Sequence, residues 1–135
     1  MARSKREKSE TVPRLVGLAR RARGVFVGSR ETRGALRRGE VKLVLVAADG
    51  SSRDRARLVR VSEEAGVPVR VVADRKELGS WIGTGPVAVV GIRNAQLAAG
   101  VRAALDASEG AARREARLTA DEPRAPREPE SGESE

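Results

Sequence analysis

A run of arginines in the first third of the chain has the residue type and the spacing to bind an anion of many charges. Arg30, Arg33 and Arg37 are three and four residues apart, so they share one face of a predicted helix that begins after Gly28. The first N–H groups of such a helix and the positive end of its dipole also attract anions. Because cations at this end destabilise a helix by roughly a few tenths of a kcal/mol, an external polyphosphate explains them better than helix stability does.

One carboxylate, Glu31, interrupts this basic run. A carboxylate can only accept hydrogen bonds, so in a cationic patch it could accept from a base amine, including that of guanine. The alternative is a local one, in which Glu31 is an ordinary acidic residue in the first turn of a helix. The sequence leaves both roles open.

Catalytic chemistry has little support in the residue types. The chain contains no cysteine and no histidine, which excludes thiolate metal sites, imidazole bases and histidine-containing triads. Asp49, Asp54 and Asp74 are the acids in plausible loop positions, but Asp49 suits a turn and Asp74 suits a helix cap. No nucleophile is paired with a base, and no glycine-rich phosphate loop is present. We therefore expect no enzyme activity, no cofactor and no metal.

The charge is distributed unevenly along the 135 residues. The chain has 27 Lys and Arg against 19 Asp and Glu. Residues 108–135 hold five basic and eight acidic groups, so the first 107 residues hold 22 basic and 11 acidic groups. A small domain with this excess indicates a polyanionic partner. One Trp, one Phe and no Tyr argue against base stacking on aromatic side chains.

The termini and hydropathy predict a cytoplasmic protein without membrane contact. The first ten residues are charged and lack the apolar segment of a secretory signal. No apolar run approaches the roughly 20 residues that span a bilayer. We expect a monomer.

Glycine and proline signals divide the chain into alternating helices and strands. After a mobile segment 1–10, we predict helices over residues 13–23, 29–38, 53–65, 75–81 and 94–107, and strands over residues 24–28, 41–48, 67–72 and 86–91. This alternation predicts an α/β fold, a three-layer α/β/α sandwich around a small mixed four-stranded sheet. The domain would cover residues 11–107, and the Pro- and Glu-rich residues 108–135 would form a disordered acidic tail.

These segments resemble a known family. LVGLARRA at residues 15–22, VGSRE at 27–31, RGEVKLVLVAAD at 38–49, GVPV at 66–69, RKELG at 75–79 and IG at 82–83 occur in the order seen in kink-turn RNA-binding ribosomal proteins. This is the L-seven-Ae, L-thirty-e and Gadd45-like family, and the chain is most similar to its small bacterial YlxQ-type members. The resemblance covers roughly 90 residues.

The resemblance implies an α/β/α sandwich that binds RNA without catalysis. The start of the second helix would enter the RNA major groove at tandem sheared G·A pairs, and the loop after the third strand would cover a flipped-out nucleotide. Gly28 matches the glycine that opens the helix, and Glu31 matches the acidic residue with which family members recognise a nucleobase. Arg30 stands where typical members have asparagine, and Gly34 where they have lysine. The residues expected to contact RNA are Gly28, Ser29, Arg30, Glu31, Arg33, Arg37, Lys42, Val72, Ala73, Asp74, Arg75 and Lys76.

The function expected from these observations is a non-catalytic RNA-binding protein for structured RNA. The target would be kink-turn-like or ribosomal RNA, with the ribosome or its assembly factors as associated partners. The alternative is a protein–protein interaction module of the same fold that makes no RNA contact. The acidic tail either stays solvated or competes with RNA for the arginine face.

Overall fold

The computed structural model describes the backbone of residues 2–120 and the side chains of residues 10–111, 113, 114, 116 and 117. Helices and strands alternate along this part of the chain as the sequence predicts. They are α1 Ala2–Arg21, β1 Val25–Val27, α2 Ser29–Arg37, β2 Leu43–Ala47, α3 Ser52–Ala65, β3 Val69–Ala73, α4 Arg75–Trp81, β4 Val89–Ile92 and α5 Ala95–Ala120.

The four strands form one mixed sheet in the order β1-β4-β2-β3. Strands β2 and β3 are parallel, whereas β4 is antiparallel to both β1 and β2. Strands β1, β2 and β3 therefore share one direction. We call the end of the sheet where these three strands finish the upper end, and the end where they begin the lower end.

Two apolar cores lie on opposite faces of the sheet, which confirms the three-layer sandwich. One core packs residues of α1, α4 and α5 against the sheet, including Val16, Leu78 and Val101. The other packs α2 and α3 against it, including Leu36 and Leu58. All five residues of β2 are buried, as expected for a strand covered on both faces.

The terminal helices are longer than the sequence predicts. The predicted start of the first helix near residue 13 is wrong, because α1 begins at Ala2 and contains Pro13. The predicted end of the last helix near residue 107 is also wrong, because α5 continues to Ala120. Residues 108–120 are rich in Ala, Arg and Glu, which favour helices, and the prolines of this region all come later. Helical backbone thus crosses both predicted domain boundaries. The disorder predicted for residues 121–135 lies outside the described residues.

An ion-pair network joins the added part of α5 to the sheet. Arg70, on the edge strand β3, donates from Nη1 to Asp106 at 2.9 Å and from Nη2 to Glu109 at 2.8 Å. The hydrogen bond to Glu109, with a smaller contribution from Asp106, raises the pKa of Arg70 above its ordinary value. Arg70 therefore stays charged throughout the physiological pH range.

A close backbone approach requires glycine at position 79. In α4, a Cβ on Gly79 would overlap the carbonyl group of Gly85. The N–H of Thr84 also donates to the Gly79 carbonyl at 2.9 Å, which holds the loop against the helix. Any side chain at position 79 would displace the loop that leads into β4.

We expect Gly79→Ala to lower the free energy of unfolding by about 1–3 kcal/mol, the usual cost of overpacking. The matched control is Gly110→Ala in α5, where a Cβ would meet nothing within 4 Å. This control should be neutral, or stabilising by up to about 1 kcal/mol from helix propensity. Urea unfolding of the two variants measures the difference, and equal midpoints would contradict the close approach.

Candidate nucleic-acid interface

Three loops meet at the upper end of the sheet and are hydrogen-bonded into one surface. The N–H of Gly28, between β1 and α2, donates to the Val89 carbonyl at the start of β4 at 2.8 Å. The N–H of Ala48, after β2, donates to the Ala73 carbonyl at the end of β3. The N–H of Ala47 donates at 2.9 Å to the Ala88 carbonyl before β4, so the junctions that follow β1, β2 and β3 lie at one end of the sheet around the start of β4.

The start of α2 is open to solvent and lacks a side-chain cap. Gly28 has φ 94°, a left-handed conformation that favours glycine, and a Cβ there would meet nothing within 4 Å. By contrast, Ser51, Asp74 and Asn94 each accept an N–H in the first turn of α3, α4 and α5. Among α2 to α5, α2 is thus the helix whose first turn has no side-chain acceptor, so its first N–H groups are open to an external one.

Two of the predicted arginines lie at this opening. Arg30 is exposed and forms no hydrogen bond or ion pair within the described part of the chain. Arg33 is half-buried, and its Nη1 donates to Ser29 Oγ at 2.7 Å. Ser29 therefore directs the Arg33 guanidinium toward the upper end, while the Arg30 guanidinium is free.

Glu31 makes a local contact near the start of α2, which is one of the two roles that the sequence allows. Its Oε1 accepts from the N–H of Val27 at 3.3 Å, across the junction between β1 and α2. The bond is long, and the side chain is exposed. One carboxylate oxygen therefore supports the junction, and the geometry leaves acceptor capacity for a donor that approaches from solvent.

The structure does not bring all the predicted residues together. Arg37 lies seven residues beyond Arg30, about 10 Å further along the axis of α2, near the lower end. Lys42 precedes β2, and its N–H donates at 2.8 Å to Ile92, the last residue of β4. Both residues are exposed. They lie at the lower end because α2 carries the basic run from the upper end of the sheet to the lower one.

The loop between β3 and α4 supplies the second side of the upper surface. Val72 and Ala73 are half-buried, and Asp74 caps α4 by accepting from the Glu77 N–H at 2.7 Å. Lys76 is exposed and forms no ion pair with a described residue. This loop therefore offers apolar surface beside a free cation.

Sequence reasoning missed the partner of Arg75. Asp49, which the sequence placed in a turn, accepts from the Arg75 N–H at 2.8 Å, and its Oδ2 lies 3.6 Å from Arg75 Nε. Arg55 similarly donates to the carbonyls of Ala47 and Ala48 at 2.9 and 2.7 Å. The contact between Asp49 and Arg75 joins residues 26 apart in sequence, and no local pattern could have revealed it.

Positive and negative side chains are almost balanced at the upper end. The basic residues of its loops and helix starts are Arg30, Arg33, Arg53, Arg55, Arg75 and Lys76, and the acidic ones are Glu31, Asp49, Asp54, Asp74 and Glu77. The unpaired donors there are individual groups rather than a continuous positive field. Such a surface favours recognition by placed donors and acceptors over attraction by net charge.

Among the described residues, no group of three or more acidic side chains is placed to hold a metal ion. The same residues contain no helix that is both long and apolar enough to span a membrane.

Comparisons with known proteins find relatives in both sequence and fold. A protein named "RNA-binding protein" from Bacillus pumilus is 34% identical over 62 residues, which are 46% of this chain and 76% of that protein. A protein of unknown function from Bacillus halodurans has a solved structure with TM-score 0.69 and 30% identity, covering 70% of this chain and 96% of that one.

The structure of a Giardia lamblia 15.5kD RNA binding protein has the same fold at lower identity. It superposes with TM-score 0.62 and 24% identity, covering 77% of this chain and 89% of that one. A family model matches residues 10–101, more than half of the chain, and confirms the predicted resemblance. The chain therefore belongs to the ribosomal protein L7Ae/L30e/S12e/Gadd45 family.

Proposed function

We propose that this protein binds structured RNA through the upper end of its sheet. The observation that carries the proposal is the uncapped start of α2, where the free guanidinium of Arg30 lies beside the acceptor Glu31. Family membership and the relative named as an RNA-binding protein support it. The protein would act without catalysis, as a monomer in the cytoplasm.

The start of α2 would read bases and hold a phosphate. Arg30 carries donors only, so it suits the O6 and N7 acceptors of guanine in a bidentate contact. Glu31 would accept from an exposed base amine at the same step. Arg33, directed by Ser29, would donate to a neighbouring phosphate, together with the free N–H groups of the helix.

The loop between β3 and α4 would contact a nucleotide that has left the stack. Val72 and Ala73 offer apolar surface to its base, and Lys76 offers a charge to its phosphate. The contacts of Asp49 and Asp74 hold the loop in place before RNA arrives, which reduces the entropy lost on binding.

Bent RNA with non-canonical pairs is the target that this arrangement suits best. An open groove that exposes purine edges would admit the start of α2, whereas the deep groove of a regular RNA helix would not. Kink-turn-like segments and ribosomal RNA contain such features, so we propose association with the ribosome or its assembly intermediates.

A protein–protein interaction module is the second candidate. Edge strand β3 leaves Val71 51% exposed, and an edge strand can pair with an added strand from another protein. Nuclease treatment of a lysate before pull-down separates the two functions. Partners that are lost with nuclease support RNA binding, and partners that persist support the interaction module.

Removing the arginines at the start of α2 should weaken RNA binding. We expect Arg30→Ala with Arg33→Ala to cost about 1–3 kcal/mol per specific contact on an RNA hairpin with tandem sheared G·A pairs. The matched control is Arg57→Ala with Arg60→Ala, which removes two exposed arginines from α3. Mobility-shift titrations measure both, and equal losses in the two double variants would refute a site at α2.

Glu31→Gln separates base reading from a local helix role. Glutamine keeps an acceptor for the Val27 N–H, so the unfolding midpoint should change little. If Glu31 reads a base amine, the variant should bind the G·A hairpin more weakly without losing affinity for a plain RNA duplex. Tighter binding of both probes would instead indicate that the carboxylate merely repels RNA.

Restoring the typical family lysine at position 34 should strengthen binding. A Cβ at Gly34 would be 3.4 Å from Arg38 Nη1, the end of a flexible side chain, so substitution is tolerated. Gly34→Ala and Gly34→Lys should each stabilise the helix by about 1 kcal/mol or slightly less. Only the lysine variant should tighten binding to the G·A hairpin, as measured by titration. Equal affinities would show that position 34 does not reach the RNA.

A further inference from the structure

Six exposed cations gather at the lower end of the sheet, opposite the surface described above. They come from the end of α1, the turn before β1, the end of α2, the start of β2 and the residue after β4. They are Arg20, Arg21, Arg23, Arg37, Lys42 and Arg93, which we call the lower basic surface. Within the described part of the chain, none of the six forms an ion pair or a side-chain hydrogen bond.

The sheet itself brings these residues together. The end of β4 lies between the starts of β1 and β2, because Val25 and Leu43 both pair with Ile92. The N–H of Arg93 donates to the Gly24 carbonyl at 2.8 Å, which places Arg93 beside Arg23. The N–H of Lys42 donates to the Ile92 carbonyl at 2.8 Å, on the other side.

An open cleft of about 390 Å³ lies within this surface, and its lining includes two guanidinium-bearing residues, Arg23 and Arg93. Ala19, Ala22 and Leu97 add apolar lining, and Asn94 adds a polar side chain. The Oδ1 of Asn94 already accepts a hydrogen bond from the Leu97 N–H at 2.8 Å. The arginines therefore supply the charge that a ligand would meet.

Little negative charge offsets the lower basic surface. Glu40 lies at this end, but it is paired with Arg38, whose Nη2 is 3.0 Å from its Oε1. Glu63 and Glu64 end α3 close to β3, the edge strand furthest from β1. The described residues at the lower end thus carry uncompensated positive charge, whereas the loops and helix starts of the upper end are nearly balanced.

The width of the surface indicates an extended ligand. Neighbouring strands are about 4.8 Å apart and helices pack about 10 Å from a sheet, so cations from α1, three strands and α2 spread over about 20 Å. One phosphate cannot contact such a set, but a chain of phosphates can. Basic groups without aromatic side chains suit the sugar–phosphate backbone of a nucleic acid duplex.

We propose that the lower basic surface binds the backbone of a second RNA segment, so that the protein joins two segments. About 17 Å of sheet, five residues of β2, separates the two surfaces. The joining of two segments rests on the proposed function of the upper end, whereas backbone binding at the lower end does not. Arg37 and Lys42 belong to this second surface.

The test uses two double variants that remove equal charge. Lys42→Ala with Arg93→Ala changes the lower basic surface, and Arg57→Ala with Arg60→Ala is the control on α3. The probe is a plain RNA duplex without internal loops, titrated at several salt concentrations. We expect the lower-end variant to bind it at least fivefold more weakly than the control does. The plot of log K against log salt should also become less steep, its negative slope shrinking in magnitude by about 1.8, the value for two lost phosphate contacts.

The joining of segments is tested with two labelled RNAs, the G·A hairpin and the plain duplex. The wild-type protein should bring them together in a complex detected by energy transfer, and the lower-end variant should lose the transfer while it still binds the hairpin. Arg30→Ala with Arg33→Ala should lose the transfer while it still binds the duplex.

Each failure has a distinct meaning. If the lower-end variant and the control bind the duplex equally, the lower basic surface does not bind RNA and the inference is overturned. If the duplex affinity falls but the wild type shows no energy transfer, joining is refuted and backbone binding stands. If the Arg30 and Arg33 variant binds the hairpin as the wild type does, the proposed function fails and the second surface is unaffected.

Discussion

The position of β4 is the constraint on which both surfaces depend. This strand has four buried residues and comes last of the strands in sequence, yet it lies between β1 and β2 and is antiparallel to both. At its start, the Val89 carbonyl accepts from Gly28 and so fixes the beginning of α2. At its end, the Arg93 N–H donates to the Gly24 carbonyl before β1, and the Ile92 carbonyl accepts from the Lys42 N–H before β2. Its register therefore determines what stands at each end of the molecule.

Packing between α2 and β4 also fixes the position of α2 on the sheet. Gly91 has no side chain, and a Cβ there would lie 3.0 Å from the Thr32 methyl group. Buried Thr32 can therefore rest on the strand, and its Oγ1 donates to the Phe26 carbonyl at 3.3 Å. Because α2 is held at its start and along its buried face, Arg30 and Arg33 project from a rigid element. Rigid placement is what recognition by individual hydrogen bonds requires.

Local patterns predicted the elements but could not predict the sheet order. Glycine stops, the Asp74 cap and the apolar run of β2 are encoded within a few residues, so the α/β sandwich follows from them. The insertion of β4 is a long-range pairing with no such signal. For that reason Arg30 and Lys42 belong to one basic run in the sequence, whereas the fold places them at opposite ends of the sheet. The helix ends predicted from Pro13 and from the later prolines are wrong. The sequence does not show that α1 and α5 pack together.

The division of charge between the two ends fits two different tasks. Contacts to phosphates supply affinity that does not depend on sequence, and contacts to base edges supply selectivity. At the upper end, carboxylates such as Asp49 offset neighbouring cations, so in the proposed function unselective attraction would be reduced and the placed groups at α2 would decide what binds. At the lower end the cations are unopposed. A protein built this way would tolerate a weakly charged reading surface, because in the proposed arrangement attraction to RNA would come from the other end of the same sheet.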